Sequence, residues 1–177
     1  MKNLLFLVMF FSMGILHAQE NNVSNDVNQS RAITFELNSV NKGVVKISEI
    51  EKGLSIDGYQ DKVVILTFIA YNGKPCKKLI GILNEMKKEH KDFDAFAVEM
   101  RKLEGESLKA YAKEYKIDFP IIGYKNAEAF VNYIRHRAGW NGNMPFIIIL
   151  DKRGEVKYLH VGLIPKEGFE KVYQEFK

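Results

Sequence analysis

The sequence predicts an α/β domain, a mixed central sheet with helices on both faces. Three observations carry this reading. Val63 to Ala70 is a nearly continuous apolar run, which suits a central strand covered on both sides. After a Gly/Pro loop at Tyr71 to Pro75 the apolar spacing turns helical. Cys76, Leu79, Ile80 and Leu83 fall at i, i+3, i+4 and i+7, with Lys and Glu on the opposite face. Strand-like and helix-like segments then alternate toward the C-terminus, the order expected of helices packed on a sheet.

The elements follow from Ala32. Ile33 to Leu37 alternates apolar and polar residues, Asn41-Lys42-Gly43 is a turn signal, and Val44 to Ile47 is the partner strand. Together they predict an opening β-hairpin. Ser48 is a cap for a short helical turn through Lys52, and Gly53 to Asp61 reads as a loop. Beyond the central strand and its helix, Phe93 to Met100 is strand-like. Ser107 is a candidate cap for a helix with Leu108, Tyr111, Ala112 and Tyr115 on one face. Phe119 to Ile122 is a short strand. Asn126 is a candidate cap for a third helix, with Ala127, Phe130, Val131 and Ile134 inward. Pro145 opens the strand Phe146 to Leu150, Asp151 to Gly154 is a turn, and Val156 to Val161 is its partner. Pro165 begins a last helix striped by Phe169, Val172, Tyr173 and Phe176.

The first residues read as an address. Met1-Lys2-Asn3 is a short positive start, Leu4 to Leu16 is apolar, and His17-Ala18 leads into polar sequence. That is the layout of a secretory signal peptide over 1–18, with cleavage expected after Ala18. Gln19 to Arg31 is polar and aperiodic, a flexible linker over 19–31. The domain is expected over 32–177. The expected location is the periplasm or another exported space, and no membrane span is expected after cleavage. An uncleaved segment acting as a tether is the alternative.

The chain has 177 residues and is 46% hydrophobic, which allows one domain with a sizeable core. Its net charge of +4 is modest and its lysines are dispersed. They read as solvated helix faces, so no nucleic-acid partner is expected. The single cysteine excludes an intrachain disulfide. His90 and His136 are isolated, and no His/Cys/Asp spacing suggests a metal site. No pattern calls for a cofactor, and the glycines form no phosphate loop. A monomer is expected.

Val63 to Phe68 followed by Gly73-Lys74-Pro75-Cys76-Lys77-Lys78 resembles the strand and active-site turn of the thioredoxin superfamily. Met144-Pro145 and the run through Gly154 resemble its second landmark, a cis-proline, a strand and a turn. The opening hairpin is similar to the exported TlpA/ResA-like branch, and the resemblance spans Ile33 to Phe176. It implies a thioredoxin-like fold, thiol–disulfide exchange in an oxidising compartment, and a polypeptide or protein-thiol partner. It also implies a substrate groove lined by Asn72, Gly73, Lys74, Pro75, Met144 and Pro145, with Cys76 as the sulfur. Such chemistry uses two cysteines two residues apart at a helix N-terminus. The first attacks a substrate disulfide, and the second resolves the mixed disulfide.

The sequence departs from that pattern. Gly73 stands in the attacking cysteine's place, Asn72 where the family usually has Trp, Leu79 where ResA-like members carry Glu, and Gly81 where Pro is usual. Dithiol exchange is therefore expected to be impaired. If Cys76 were the first cysteine, Leu79 would be its partner, which again leaves one thiol. A peroxiredoxin would need Thr three residues before its cysteine, where Gly73 stands. Two readings of Cys76 stay open: a thiol activated by the first helical turn, or a buried inert one. For Pro145 they are a cis bond shaping a groove or an ordinary trans strand start. Trp140 is either a ligand platform or a core residue. The expected function is envelope redox homeostasis or polypeptide binding through the groove. The alternative is monothiol exchange or oxidant scavenging by Cys76, linked through the family to cytochrome c maturation.

Overall fold

The computed structural model describes residues 32–177. The expected signal segment, 1–18, and linker, 19–31, lie outside the described residues. The chain first builds an antiparallel sheet from β1 (Thr34–Ser39), β2 (Gly43–Ile50) and β3 (Gly53–Ile56), in that order. Leu37, Val45, Ile47, Leu54 and Ile56 are buried, so alternation puts one face of this sheet against the core.

The expected hairpin forms as β1–β2, and β3 extends it into a three-stranded meander. The helical turn from Ser48 is absent, and the loop expected from Gly53 starts only at Asp57, after β3. Ser48 pairs with Thr34 on one side and Ser55 on the other. Those ladders use the backbone groups a helical turn would need, and Leu54 and Ile56 supply a second apolar alternation. Tertiary pairing has overridden a local capping signal.

The second sheet contains β4 (Val63–Ile69), β5 (Phe93–Glu99), β6 (Ile121–Gly123), β7 (Phe146–Leu150) and β8 (Val156–Val161), in spatial order β6-β5-β4-β7-β8. β4, β5 and β6 run parallel, and β7 and β8 complete the sheet antiparallel. Every residue of β4 and β5 is buried, as continuous apolar strands require. One face packs on α1 (Lys74–Glu89), α2 (Gly105–Glu114) and α4 (Lys166–Phe176). The other packs on α3 (Tyr124–Ala138) and the three-stranded sheet. Val63, Ile65 and Ile69 face the first layer, and Val64, Leu66 and Phe68 the second.

Two helix starts differ from the sequence expectation. α2 begins at Gly105 rather than after Ser107, and α3 begins at Tyr124 rather than after Asn126. The cap expected of Asn126 is supplied from a distance. Glu104, just before α2, accepts the Lys125 N–H at 3.0 Å. Its carboxylate lies so close to Gly123 that a Cβ there would sit 2.0 Å from Oε2, so any side chain at 123 would displace Glu104 from this cap.

Two ties fasten the sheets together. Asn41, in the β1–β2 turn, donates to the Ile117 and Phe119 carbonyls at 3.2 and 3.0 Å and accepts the Ile121 N–H at 3.1 Å. At the other end Leu54 donates to the Gly154 carbonyl at 2.9 Å, and Val156 donates to that of Lys52 at 2.9 Å. A Cβ on Gly53 would lie 2.1 Å from the Gly154 oxygen, which makes glycine obligatory there.

Candidate functional site

The central strand ends where the site begins. β4 stops at Ile69, Ala70 to Gly73 turns, and α1 starts at Lys74. Gly73 closes the turn by donating to the Ala70 carbonyl at 3.0 Å, and Lys77 donates back to the Gly73 carbonyl at 3.0 Å. Pro75 lies in the first helical turn, where a missing N–H costs nothing. The apolar stripe of α1 forces Cys76 inward, and it is only 1% exposed.

The sulfur is met by the peptide group that ends the central strand. Cys76 Sγ accepts the Ala70 N–H at 3.3 Å. Burial pushes the thiol upward from its ordinary range, the Ala70 N–H pulls it down, and the charge of Glu99 pushes it further up. A helix N-terminus favours thiolate, but loss of hydration is the larger effect at this depth. Cys76 is therefore a protonated thiol at neutral pH.

Gly73 is half-buried beside it. A Cβ built on Gly73 would lie 3.2 Å from Cys76 Sγ and 3.3 Å from the Ala70 oxygen. Asn72, Lys74 and Pro75 are exposed around that turn.

β7 enters the site from the other side. Phe68 pairs with Phe146 across the β4–β7 ladder, and Thr67 Oγ1 donates to the Phe146 carbonyl at 3.0 Å. One step beyond that pair the two chains are at Ile69-Ala70 and Met144-Pro145, so both leave the sheet at the same end. The Met144–Pro145 peptide bond is cis. Pro145 is buried, its carbonyl accepts the Gly162 N–H at 2.8 Å, and half-buried Met144 packs against both apolar layers. The seven expected residues thus gather at one sheet end, with only Asn72, Lys74 and Pro75 on the open surface.

Trp140 is not a platform. It is 6% exposed, stacks on Phe146 at 4.9 Å, and donates its indole N–H to the Asn143 carbonyl at 2.9 Å. It is a core residue that shapes the loop before Met144.

Sequence reasoning missed two neighbours of the sulfur. Glu99 closes β5 fully buried, and Tyr111 on α2 has a buried hydroxyl without a hydrogen-bond partner among the described residues. The signal for Glu99 was present, as an acid closing an otherwise apolar strand. Elsewhere the fold gathers Glu89, His90 and Glu170, with His90 Nε2 at 3.1 Å from the Glu170 carboxylate. Lys166 lies 2.6 Å from Glu89 in that cluster, so a cation already balances it. Among the described residues no helix is long and apolar enough to cross a membrane.

Comparison with known proteins places this geometry. The chain is 29% identical over 120 residues to the thioredoxin-like protein YneN of Bacillus subtilis, covering 66% of each chain. It is 28% identical over 126 residues to the thiol-disulfide oxidoreductase ResA of Geobacillus kaustophilus, covering 69% of this chain and 67% of that one. The match thus spans about two thirds of each relative's length. Among solved structures, the thioredoxin domain of a thiol-disulfide oxidoreductase from Bacteroides vulgatus superposes with a TM-score of 0.61 at 16% identity. That match covers 82% of this chain and 95% of that one. A thiol:disulfide interchange protein from Chlorobium tepidum gives 0.59 at 21% identity, covering 82% and 94%. These likenesses make the fold thioredoxin-like. The sequence profile of the AhpC/TSA family matches residues 29–159, well over half of the chain, and the chain belongs to that family of thioredoxin fold.

Proposed function

We propose that this chain is an exported thioredoxin-fold protein impaired in dithiol exchange. It holds extended polypeptides in the groove between the Asn72–Pro75 turn and Met144–Pro145, within the redox homeostasis of the cell envelope. One observation carries the reading. The place of an attacking cysteine is taken by Gly73, and the remaining sulfur is 1% exposed. Thiolate is the nucleophile of exchange, and a buried protonated thiol supplies little of it. That the turn and the proline segment leave the sheet at the same end supports a groove there, and the protein-thiol partner is carried over from the oxidoreductase relatives.

Insulin reduction and peptide capture test this together. The native chain should reduce insulin no faster than buffer with dithiothreitol alone, and Cys76 should resist alkylation until the chain is unfolded. Cys76→Ala should leave capture of an unfolded polypeptide intact, and Pro145→Thr should weaken it. Robust turnover lost in Cys76→Ser would overturn the reading.

The Ala70 N–H bonded to the sulfur favours the second reading, monothiol exchange or oxidant scavenging by Cys76. Rapid native alkylation would select it, and peroxide consumption dependent on Cys76 would select scavenging over exchange. Export is tested by fractionation and by N-terminal sequencing of the mature chain, which should begin at Gln19. An intact Met1 in the soluble cytoplasmic fraction would sink it.

A further inference from the structure

Glu99, the last residue of β5, is completely buried, and its carboxylate is met by peptide groups instead of a cation. Oε1 accepts the Tyr71 N–H at 3.2 Å and the Arg101 N–H at 2.9 Å. Oε2 accepts the Leu103 N–H at 2.8 Å. Those donors belong to two loops, one leading into α1 and the other into α2. A single carboxylate therefore clasps both loops at the sheet end that carries the sulfur.

The clasp is one peptide away from the thiol. Ala70 donates its N–H to Cys76 Sγ, and Tyr71, the next residue, donates to Glu99. Cys76 and Glu99 thus hold successive peptide groups of one loop. Tyr111, on α2, shares the apolar cluster of Cys76, lies edge-on to the Tyr71 ring at 6.4 Å, and is 6% exposed. Its hydroxyl has no partner among the described residues. A buried carboxylate without a counter-cation, beside an unpartnered hydroxyl and a buried thiol, is an arrangement that core packing alone does not call for.

We propose that Glu99 is a positioning residue for the Cys76 thiol: it clasps the loop whose peptide group hydrogen-bonds the sulfur, and it sets a buried carboxylate at the same sheet end. Electrostatics agrees in direction. Burial pushes Cys76 upward and Glu99 adds to it, against the Ala70 N–H; burial, then Tyr115, Cys76 and Glu99, push Tyr111 upward; and Glu99 is itself pushed up by burial, with Glu104 adding to that from the start of α2. Lys74 and Lys77, on the thiol's own helix, are exposed. The inference rests on Cys76 being the sulfur of the proposed site. Its readout is the sulfur itself, whereas the proposed function is read by polypeptide capture, so the two fail separately.

The chain's single cysteine makes the test direct. Thiolate absorbance of the purified chain is followed against pH, with Cys76→Ser as the blank. In Glu99→Gln the amide oxygen can keep the Tyr71 and Arg101 bonds, but the negative charge is gone. The thiolate midpoint should fall by about one pH unit, and reaction with a small methanethiosulfonate at fixed pH should quicken about tenfold. Glu99→Asp should return the midpoint toward the wild type. An unmoved midpoint in a folded Glu99→Gln chain would overturn the proposal. If Glu99→Gln does not fold, the wild type decides. The Tyr71, Arg101 and Leu103 amide resonances should share one titration with the Glu99 carboxyl carbon, above its ordinary 4.5. Amide resonances that ignore that titration would overturn the clasp.

Discussion

The point a Cβ would occupy on Gly73 lies 3.2 Å from Cys76 Sγ. In a disulfide, the Cβ of one cysteine sits about 3 Å from the sulfur of the other, given the S–S bond length and the angle at sulfur. The backbone at residue 73 is therefore set for a bond its residue cannot make. Gly73 also has φ −80°, which any L-residue adopts, so a side chain there meets no conformational penalty. Gly73→Cys should form an intramolecular disulfide with Cys76 in air, seen as the loss of two hydrogen atoms in mass and of all free thiol. Insulin reduction should rise at least about tenfold over the wild type, because an attacking thiol at the helix N-terminus then has a resolving partner. Two titratable thiols persisting under oxidant would show that the turn is not in the dithiol geometry.

Local and non-local features were unequally legible in the sequence. The Gly73–Cys76 turn and the Met144–Pro145 step could be found because each is a contiguous string whose function depends on spacing along the chain. The continuous apolar run of Val63 to Ala70 and the stripe from Cys76 to Leu83 placed the sulfur at a helix start for the same reason. Glu99 and Tyr111 were not legible as parts of the site. They approach Cys76 from β5 and α2, and only the parallel β4–β5 pairing, with Ile69 beside Glu99, brings them there. The third strand was hidden because Ser48 carries a real capping preference that loses only when Thr34 and Ser55 flank it. Trp140 was open because its burial depends on Phe68 and Phe146, which no spacing ties to it.

Tyr111 offers a stability prediction with an unusual sign. Its hydroxyl is buried and unpartnered among the described residues, so the fold takes it out of water and gives it no hydrogen bond from them in return. Tyr111→Phe keeps the ring that packs against Tyr71 and Tyr115 and removes only that oxygen. The variant should be more stable by about 1 kcal/mol, read from denaturant midpoints at unchanged slope. A loss of stability would mean that the hydroxyl has a partner in solution, and the pocket around Cys76 would then be polar.

Asn41 should behave in the opposite way. One side chain satisfies two carbonyls and one N–H around β6, and Lys42 adds an exposed ion pair with Asp118 next to it. Asn41→Ala leaves those three backbone groups part-buried without their partner and should cost about 2–3 kcal/mol. Lys42→Ala, which removes only the exposed pair, should change stability by less than about 1 kcal/mol. Equal effects would mean that the first sheet is held by its apolar face alone and that the turn contributes no anchoring.

The alkaline limb of stability should report the state of the thiol. The ordinary value for cysteine is 9.0, and in the folded chain burial raises it, so the native state binds that proton more tightly than the unfolded state does. Stability carried by the thiol is fully present below about pH 9.0 and is lost as pH rises through the folded value. Within that window the loss approaches about 1.4 kcal/mol per pH unit. Tyrosines also ionise there, but they do so in a Cys76→Ala chain as well, so the difference between the two proteins isolates the sulfur. At neutral pH the wild type should be the more stable by roughly 1 kcal/mol, because alanine leaves a small void under Leu79 and Ile80. Above pH 9.0 that advantage should shrink and then reverse, as the buried thiolate becomes a liability that alanine lacks. A difference that stays constant with pH would mean the sulfur ionises as readily in the fold as outside it, and burial would no longer support the proposal that Cys76 is unreactive.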